Sequence, residues 1–495
     1  MSYLALISQR AGNLSRYSTW IGLSLIAATP RILAAFWLPN EEGDPYAYVQ
    51  AIDMMRASII GGTFTISELF GFWLPLYQFI CAIITTVIGD PLYVSKLVSA
   101  VCGTGVCLLV FALSEQITAN RMASLFAFAL IALNPIHIMY SGFSMSDVPH
   151  ALLVAGSLYF AIRNRWILAA GLVAVGGLMR PESWLFILLL PLLQFFLQRR
   201  VSVIAFLLTL SSPLIWMYIS WSATGNPMEY FIVRRDYIME LLSRDPSLAS
   251  FSAPHVMANL QTMLYSTGHA VLIACIVASL ILARRALRQS DHGISESSSG
   301  LVLTLAYFFS SLGFLLFAYF TRNQPAIFAR YCLVLFALGL PVLALMLRET
   351  WKSKTVWMRS ACGLFLVLCL WQWTVQLRDG AAFVNLVTQK RIVADYLKGQ
   401  SRDGRGYRVF CDDDTIRTLA GFPSDSFVGS TGSPGDPRLF VDYLKENRVE
   451  FVVYERRNGS AAEKAFRDMS DEEITSHFQQ VAATRTDLRL YRTVF

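Results

Sequence analysis

Charge is scarce in this chain: 15% of its 495 residues are Asp, Glu, Lys or Arg, against about 25% in an average soluble domain. That shortage, with a hydrophobic content of 55%, excludes an ordinary water-soluble enzyme. Cysteine offers no scaffold either. Cys81, Cys102, Cys107, Cys275, Cys332, Cys362 and Cys369 lie in apolar runs and Cys411 in a polar one, so neither a disulfide framework nor a CxxC metal knuckle is available. No Walker loop, GxGxxG, HExxH or nucleophile elbow occurs, which removes nucleotide-driven and zinc-hydrolase chemistry. A cleavable leader pattern is also missing: the run from Tyr17 to Leu38 is long enough to span and further runs follow it, so it is expected to stay as the first membrane helix.

The charge that is present is unevenly placed. Residues 1–378 carry 24 basic and 16 acidic side chains, whereas residues 379–495 carry 17 and 18. The net +7 therefore arises in the apolar part, where basic cytoplasmic loops account for it, and nucleic acid is not an expected partner. Segments of spanning length, about 20 residues, fall near 17–38, 93–114, 122–140, 149–162, 166–179, 183–197, 201–221, 266–283, 300–320, 331–347 and 360–377. Arg16, Arg121, Arg163, Arg199, Arg284 and Arg348 stand at alternate ends of these segments, which places those ends in the cytoplasm. The expectation is a polytopic α-helical membrane domain over 1–378 with about eleven spans, a cytoplasmic N-terminus, and a small domain over 379–495 outside the cytoplasm.

Two outward loops are long. Loop 39–92 holds the apolar stretch Phe72 to Gly89, which has no basic flank and reads as interfacial or re-entrant; loop 222–265 carries Arg234, Arg235 and Asp236 and must be solvated or folded over the membrane surface. The two loops are placed to close over one cavity. In the tail, Tyr407 to Cys411 and Glu450 to Tyr454 have strand character and Leu439 to Asn447 has helical spacing, which fits a small α/β domain. Its run Asp412-Asp413-Asp414 reads as a solvated loop after a strand rather than a metal site, since three adjacent carboxylates cannot all face one ion.

Candidate chemistry collects at the outer ends. Glu41, Glu42 and Asp44 follow the first span, and Asp147, in Ser144-Met145-Ser146-Asp147-Val148-Pro149-His150, lies in a short loop on the same side. Two carboxylates at one interface suit a general base and its partner; for Asp147 an N-cap on the helix that follows is an equal alternative. Arg180-Pro181-Glu182, Arg330-Tyr331 and Lys96 put cations at outward ends, against the positive-inside bias. An anionic headgroup would explain them, Arg offering a fork of donors and Lys a point charge.

These residues occur in a telling order: Asp44 with Tyr46 and Tyr48, then Trp73-Leu74-Pro75-Leu76-Tyr77, Lys96-Leu97-Val98-Ser99, Asn134-Pro135 leading to Asp147, Arg180-Pro181-Glu182 and Arg330-Tyr331. In that order and sidedness the chain resembles the GT-C membrane glycosyltransferases, in particular the clan of protein O-mannosyltransferases and aminoarabinose transferases, over nearly all of 17–377. The resemblance implies a GT-C fold with residues 72–89 as an interfacial jaw helix, and a polyprenyl-phosphate sugar as donor. It implies Asp44 as catalytic base and Asp147 at a second acidic position where many relatives carry Glu. Lys96, Arg330 and Tyr331 would lie near the lipid phosphate, and Arg180, Glu182, Tyr46 and Tyr48 would shape the cavity. The implied enzyme is an inverting transferase in a bacterial inner membrane, acting on a hydroxyl of a lipid, glycan or protein acceptor. A transporter or flippase of lipid-linked sugars, or a lipid-diphosphate-dependent ligase or polymerase, is the alternative. No cofactor is expected; Mg2+ or Mn2+ at the paired carboxylates stays open, although the resembled clan generally works without a metal.

Overall fold

The computed structural model describes residues 3–41, 43–244, 252–288, 296–324, 326–352, 356–400, 407–411, 413–422, 426–429, 433–456, 460–484 and 488–495. Glu42 and Asp412 lie outside the described residues. The chain forms two compact units: Met1–Leu38 with Met55–Arg378, and Pro39–Met54 with Asp379–Phe495.

The first unit is helical, and each of the eleven apolar segments is helical for most of its length, although those at 122–140 and 266–283 each fall on two helices, bent by 61° and 85°. Among the described residues six helices are long and apolar enough to cross a membrane, and up to eight spans result if each of two bent pairs counts as one; Asp147–Ile162 and Trp166–Gly177 are shorter apolar helices. The helix over Val203–Thr224 shows why a membrane is required. Val203, Leu207, Leu214, Tyr218 and Trp221 share one face and are exposed, an apolar stripe that lipid solvates and water does not.

Local chemistry sets the helix ends. Asp90 caps Pro91–Thr118 by accepting from the amides of Leu92 at 2.9 Å and Tyr93 at 3.1 Å, with Pro91 in the first turn. The segment expected as one span over 122–140 is broken at Asn134-Pro135 into Arg121–Ala132 and Pro135–Ser141, bent by 61°. Pro135 cannot continue the first helix, and Asn134 caps the second by accepting from the His137 amide at 2.9 Å. Arg31, fully buried in the first helix, fills the gap: it donates to the carbonyls of Ala27 at 2.8 Å, Ile131 at 3.0 Å and Ala132 at 3.2 Å, and meets His137 Nδ1 at 2.8 Å. Two of those carbonyls belong to the last turn of the broken helix, where the regular ladder runs out and only a long 3.4 Å bond from the Asn134 amide reaches Ile131. The corner is tight enough to need glycine, since a Cβ on Gly103 would stand 2.2 Å from Ser141 Oγ.

The second unit contains, among its described residues, a five-stranded sheet: β1 (Val409–Phe410), β2 (Phe427–Val428), β3 (Phe451–Glu455), β4 (Phe478–Ala483) and β5 (Leu488–Thr493), in the order β2-β1-β3-β5-β4. β1 runs parallel to β2 and β3, while β5 is antiparallel to β3 and β4. Side-chain alternation gives each face its own core. Val409, Phe451, Val453 and Leu490 pack with Val393, Leu397 and Ile416 on one side; Phe410, Val452 and Tyr491 pack with Phe440, Leu444 and Phe466 on the other. The expected strands at 407–411 and 450–454 and the expected helix at 439–447 correspond to β1, β3 and Pro437–Glu446.

Candidate active site: an arginine-lined cavity

A cavity of about 470 Å³ opens in the first unit, lined by Asp147, His150, Arg180, Glu182, Tyr230, Arg234, Gln324, Arg330 and Tyr331 on its polar side and by Phe314, Leu315, Phe317, Val334 and Leu335 among its apolar residues. Arg180 organises the polar side. It sits in extended backbone (φ −149°, ψ 137°) between Trp166–Gly177 and the turn that Pro181 begins, the conformation that a following proline favours. From there Nη1 donates to Asp147 Oδ1 at 2.7 Å, Nη2 to Glu182 Oε1 at 2.8 Å and Nε to Glu182 Oε2 at 3.3 Å. One guanidinium thus joins the two acids expected separately as a second base and a wall residue. Asp147 is the first residue of its helix, with Ser146 at the N-cap and no side-chain cap bond there, so the capping alternative gives way to an ion pair with Arg180.

A second network of the lining adjoins the first. Arg234, on the helix Glu229–Arg244, donates to Tyr230 Oη and Gln324 Oε1, both at 3.2 Å. Gln324 Nε2 donates to Tyr331 Oη at 3.0 Å, and the guanidinium carbons of Arg180 and Arg330 lie 5.1 and 5.3 Å from the centroid of the Tyr331 ring. The aromatic face holds two cations near each other by cation–π attraction. Arg330 also reaches Met145 Sδ at 4.0 Å.

Other expected site residues stand elsewhere. Lys96 is 3% exposed and donates to the Leu38 carbonyl; it is not among the residues that line the cavity. Its neighbours Ser95 and Ser99 bond Ser144 Oγ at 2.8 Å and the Met145 carbonyl at 3.1 Å, the same segment that Arg330 touches. Asp44 opens the helix Asp44–Gly61 and belongs to the second unit with Tyr46 and Tyr48. Those tyrosines, expected to shape the cavity, are 1% and 2% exposed and do not line it; burial pushes the Tyr46 phenol up to about 12. Leu76–Ile88 is the helix expected within 72–89. Asp413 is not a solvated loop residue: its Oδ1 caps Asp414–Ala420 at 3.0 Å and its Oδ2 accepts from the buried Lys390. Among the described residues no group of three or more His, Cys, Asp or Glu side chains could hold a metal ion.

Sequence reading missed His150, whose Nε2 pairs with Ser183 Oγ at 2.8 Å beneath the Arg180 cluster, and it left Arg234 without a role in the site. The pair Asp147 and His150 is spaced to share a helix face, which was the available signal; Arg234 differs from its exposed neighbour Arg235 only by position on the helix.

No family model matches the chain, and no curated protein matches it. Among solved structures it is similar to ArnT from Cupriavidus metallidurans bound to undecaprenyl phosphate, at 12% identity and a TM-score of 0.50, with 96% of this chain and 98% of that chain covered. The apo state of the same ArnT gives 12% identity and a TM-score of 0.50, covering 97% and 98%. The likeness is one of fold, end to end.

Proposed function

We propose that the chain is an inverting membrane glycosyltransferase that moves a sugar from a polyprenyl phosphate to an acceptor hydroxyl at the outer face of the membrane. The cavity carries the proposal: its lining holds three guanidiniums, Arg180, Arg234 and Arg330, against the carboxylates of Asp147 and Glu182, beside a wall of Phe314, Leu315, Phe317, Val334 and Leu335. Phosphate esterified to a long hydrocarbon has that chemistry, an anion that forked donors bind joined to a tail that apolar surface takes up. A fold shared with a protein crystallised with undecaprenyl phosphate supports the same ligand class.

In this reading Asp44 accepts the proton of the acceptor hydroxyl as its oxygen attacks the anomeric carbon. The bond from that carbon to the phosphate oxygen breaks, the polyprenyl phosphate departs with the electron pair, and Arg330 and Arg234 stabilise its growing charge. Tyr331 and Gln324 hold the two cations, and Arg180 fixes the wall through Asp147 and Glu182. Lys96 joins the donor site only if its ammonium leaves the Leu38 carbonyl.

The deciding experiment compares wild type with Asp44→Asn, Glu41→Gln and Arg330→Ala in detergent, measuring undecaprenyl phosphate binding and turnover of undecaprenyl-phosphate-linked sugars extracted from bacterial membranes. Asp44→Asn should lose turnover by about 10²–10⁴-fold, the usual contribution of a general base, and keep lipid binding. Glu41→Gln should lose far less. Normal turnover by Asp44→Asn would move the base elsewhere, and no affinity of wild type for undecaprenyl phosphate would end the donor assignment.

A further inference from the structure

The helix Asp44–Gly61 begins in one compact unit with the C-terminal domain, although more than 300 residues separate them in sequence. The attachment brackets Asp44. One residue before it, the Gly43 amide donates to Thr415 Oγ1 at 3.1 Å. Two residues after it, the Tyr46 carbonyl lies 3.4 Å from Thr418 Oγ1, whose proton has a closer acceptor in the Asp414 carbonyl at 2.8 Å. Six residues after it, Gln50 Nε2 donates to Thr418 Oγ1 at 2.9 Å and to the Asp414 carbonyl at 3.3 Å. Gly43 takes the left-handed conformation, φ +77°, that turns the chain into the helix.

The receiving element is itself anchored. Asp414–Ala420 is capped by Asp413, whose other carboxylate oxygen takes a hydrogen bond from Lys390, and Lys390 lies 3.8 Å from Glu455 on β3. Thr415 is fully buried. A seven-residue helix that would be marginal alone is therefore tied to the sheet and to the long helix Val356–Gln400.

We propose that Gln50, Thr415 and Thr418 are positioning residues for Asp44, so that the C-terminal domain fixes the helix turn that carries the base. The inference rests on the reading of Asp44 as the base. Its physical ground is that a reacting group must be held to within a fraction of an ångström, and a displacement of about 1 Å costs on the order of 10²-fold in rate. Asp44 heads its helix, so small rotations of that first turn move its carboxylate directly.

The test uses full-length protein in detergent carrying Thr418→Val, Thr418→Ser or Gln50→Ala. Four quantities are read: hydrogen exchange at residues 43–54, kcat and KM for the extracted undecaprenyl-phosphate-linked sugars, and the melting temperature. Thr418→Val and Gln50→Ala should speed exchange at residues 43–54 and lower kcat by about 10- to 100-fold, with KM and undecaprenyl phosphate affinity unchanged; Thr418→Ser, which keeps the hydroxyl, should restore both. Faster exchange with unchanged kcat overturns the proposal, as does a loss of kcat that simply follows a loss of folded protein. Asp44→Asn separates the two ideas. If it transfers normally the base reading has failed, whereas slow Asp44→Asn beside a normal Thr418→Val condemns the positioning role alone.

Discussion

Arg180 Nη1 donates to Asp147 Oδ1 at 2.7 Å, with side-chain exposures of 14% and 2%, and this pair ties the start of Asp147–Ile162 to the end of Trp166–Gly177. A carboxylate so engaged is built to hold an arginine. Asp147→Ala should cost about 1.5–3 kcal/mol, the range for a hydrogen bond to a charged group, while Glu182 retains Arg180 from the other side. Thermal unfolding in detergent measures this. If Asp147→Asn kept its stability and donor affinity yet lost turnover a hundredfold, Asp147 would be the base instead.

The donor cations give a second expectation. Arg330→Ala and Arg234→Ala should each weaken undecaprenyl phosphate binding by about tenfold or more, the equivalent of at least about 1.4 kcal/mol. Lys96→Ala should weaken it less, because the ammonium is spent on the Leu38 carbonyl. A larger loss for Lys96→Ala than for Arg330→Ala would show that the lysine turns towards the phosphate when lipid binds.

The same contrast marks what the sequence could disclose. Apolar length announced the eleven apolar segments, a local signal, but not the polar helix Glu229–Arg244 in the second long loop, nor the break at Asn134-Pro135 inside the segment expected as one span. Arg180, Glu182, Asp147, Arg330 and Tyr331 were legible as charges at apolar ends, and the cavity lining contains all of them. Arg31 was not, since a lone arginine in an apolar run reads as a side chain reaching for the lipid surface and its partners are carbonyls, which no motif displays. Nor was the attachment of Gly43 and Gln50, on either side of Asp44, to Thr415 and Thr418: such contacts across more than 360 residues leave no periodicity to read. The hairpin of β4 and β5 did leave one, with Leu488 and Leu490 alternating against Arg489.

Arg31 supplies a third expectation. Replacing it with Met would take the guanidinium from the buried carbonyls of Ile131 and Ala132 and from His137 Nδ1. Ile131 keeps the Asn134 amide and His137 Nδ1 keeps Ser141 Oγ, each at 3.4 Å, so the loss falls mainly on Ala132, and a buried group left unsatisfied costs roughly 1–3 kcal/mol. Arg31→Met should therefore lower the melting temperature by several degrees or prevent insertion, and any folded fraction should bind undecaprenyl phosphate normally. Unchanged stability would mean that lipid or water replaces the guanidinium at this corner.

The last expectation concerns pH. Burial raises the Asp414 carboxyl above its usual value; Arg417 opposes the rise, and the neighbouring acids Asp413 and Asp44 add to it. A carboxyl whose pKa is higher folded than unfolded binds more protons in the native state, so stability falls as pH rises. Its favourable contribution is fully present below the unfolded pKa, near 3.8, and is lost as pH climbs through the raised folded pKa. Asp414→Asn keeps a neutral side chain at every pH and should remove that slope. The two proteins should thus unfold at similar temperatures near the unfolded pKa, with wild type falling behind the variant as pH rises past the folded one. The backbone carbonyl that Gln50 uses is untouched by the substitution, so hydrogen exchange at residues 43–54 should slow in step with the gain. Parallel unfolding curves across this window would show that Arg417 offsets burial, and a variant that loses ground as pH rises would show that Arg417 outweighs it and that Asp414 is stabilised as a carboxylate.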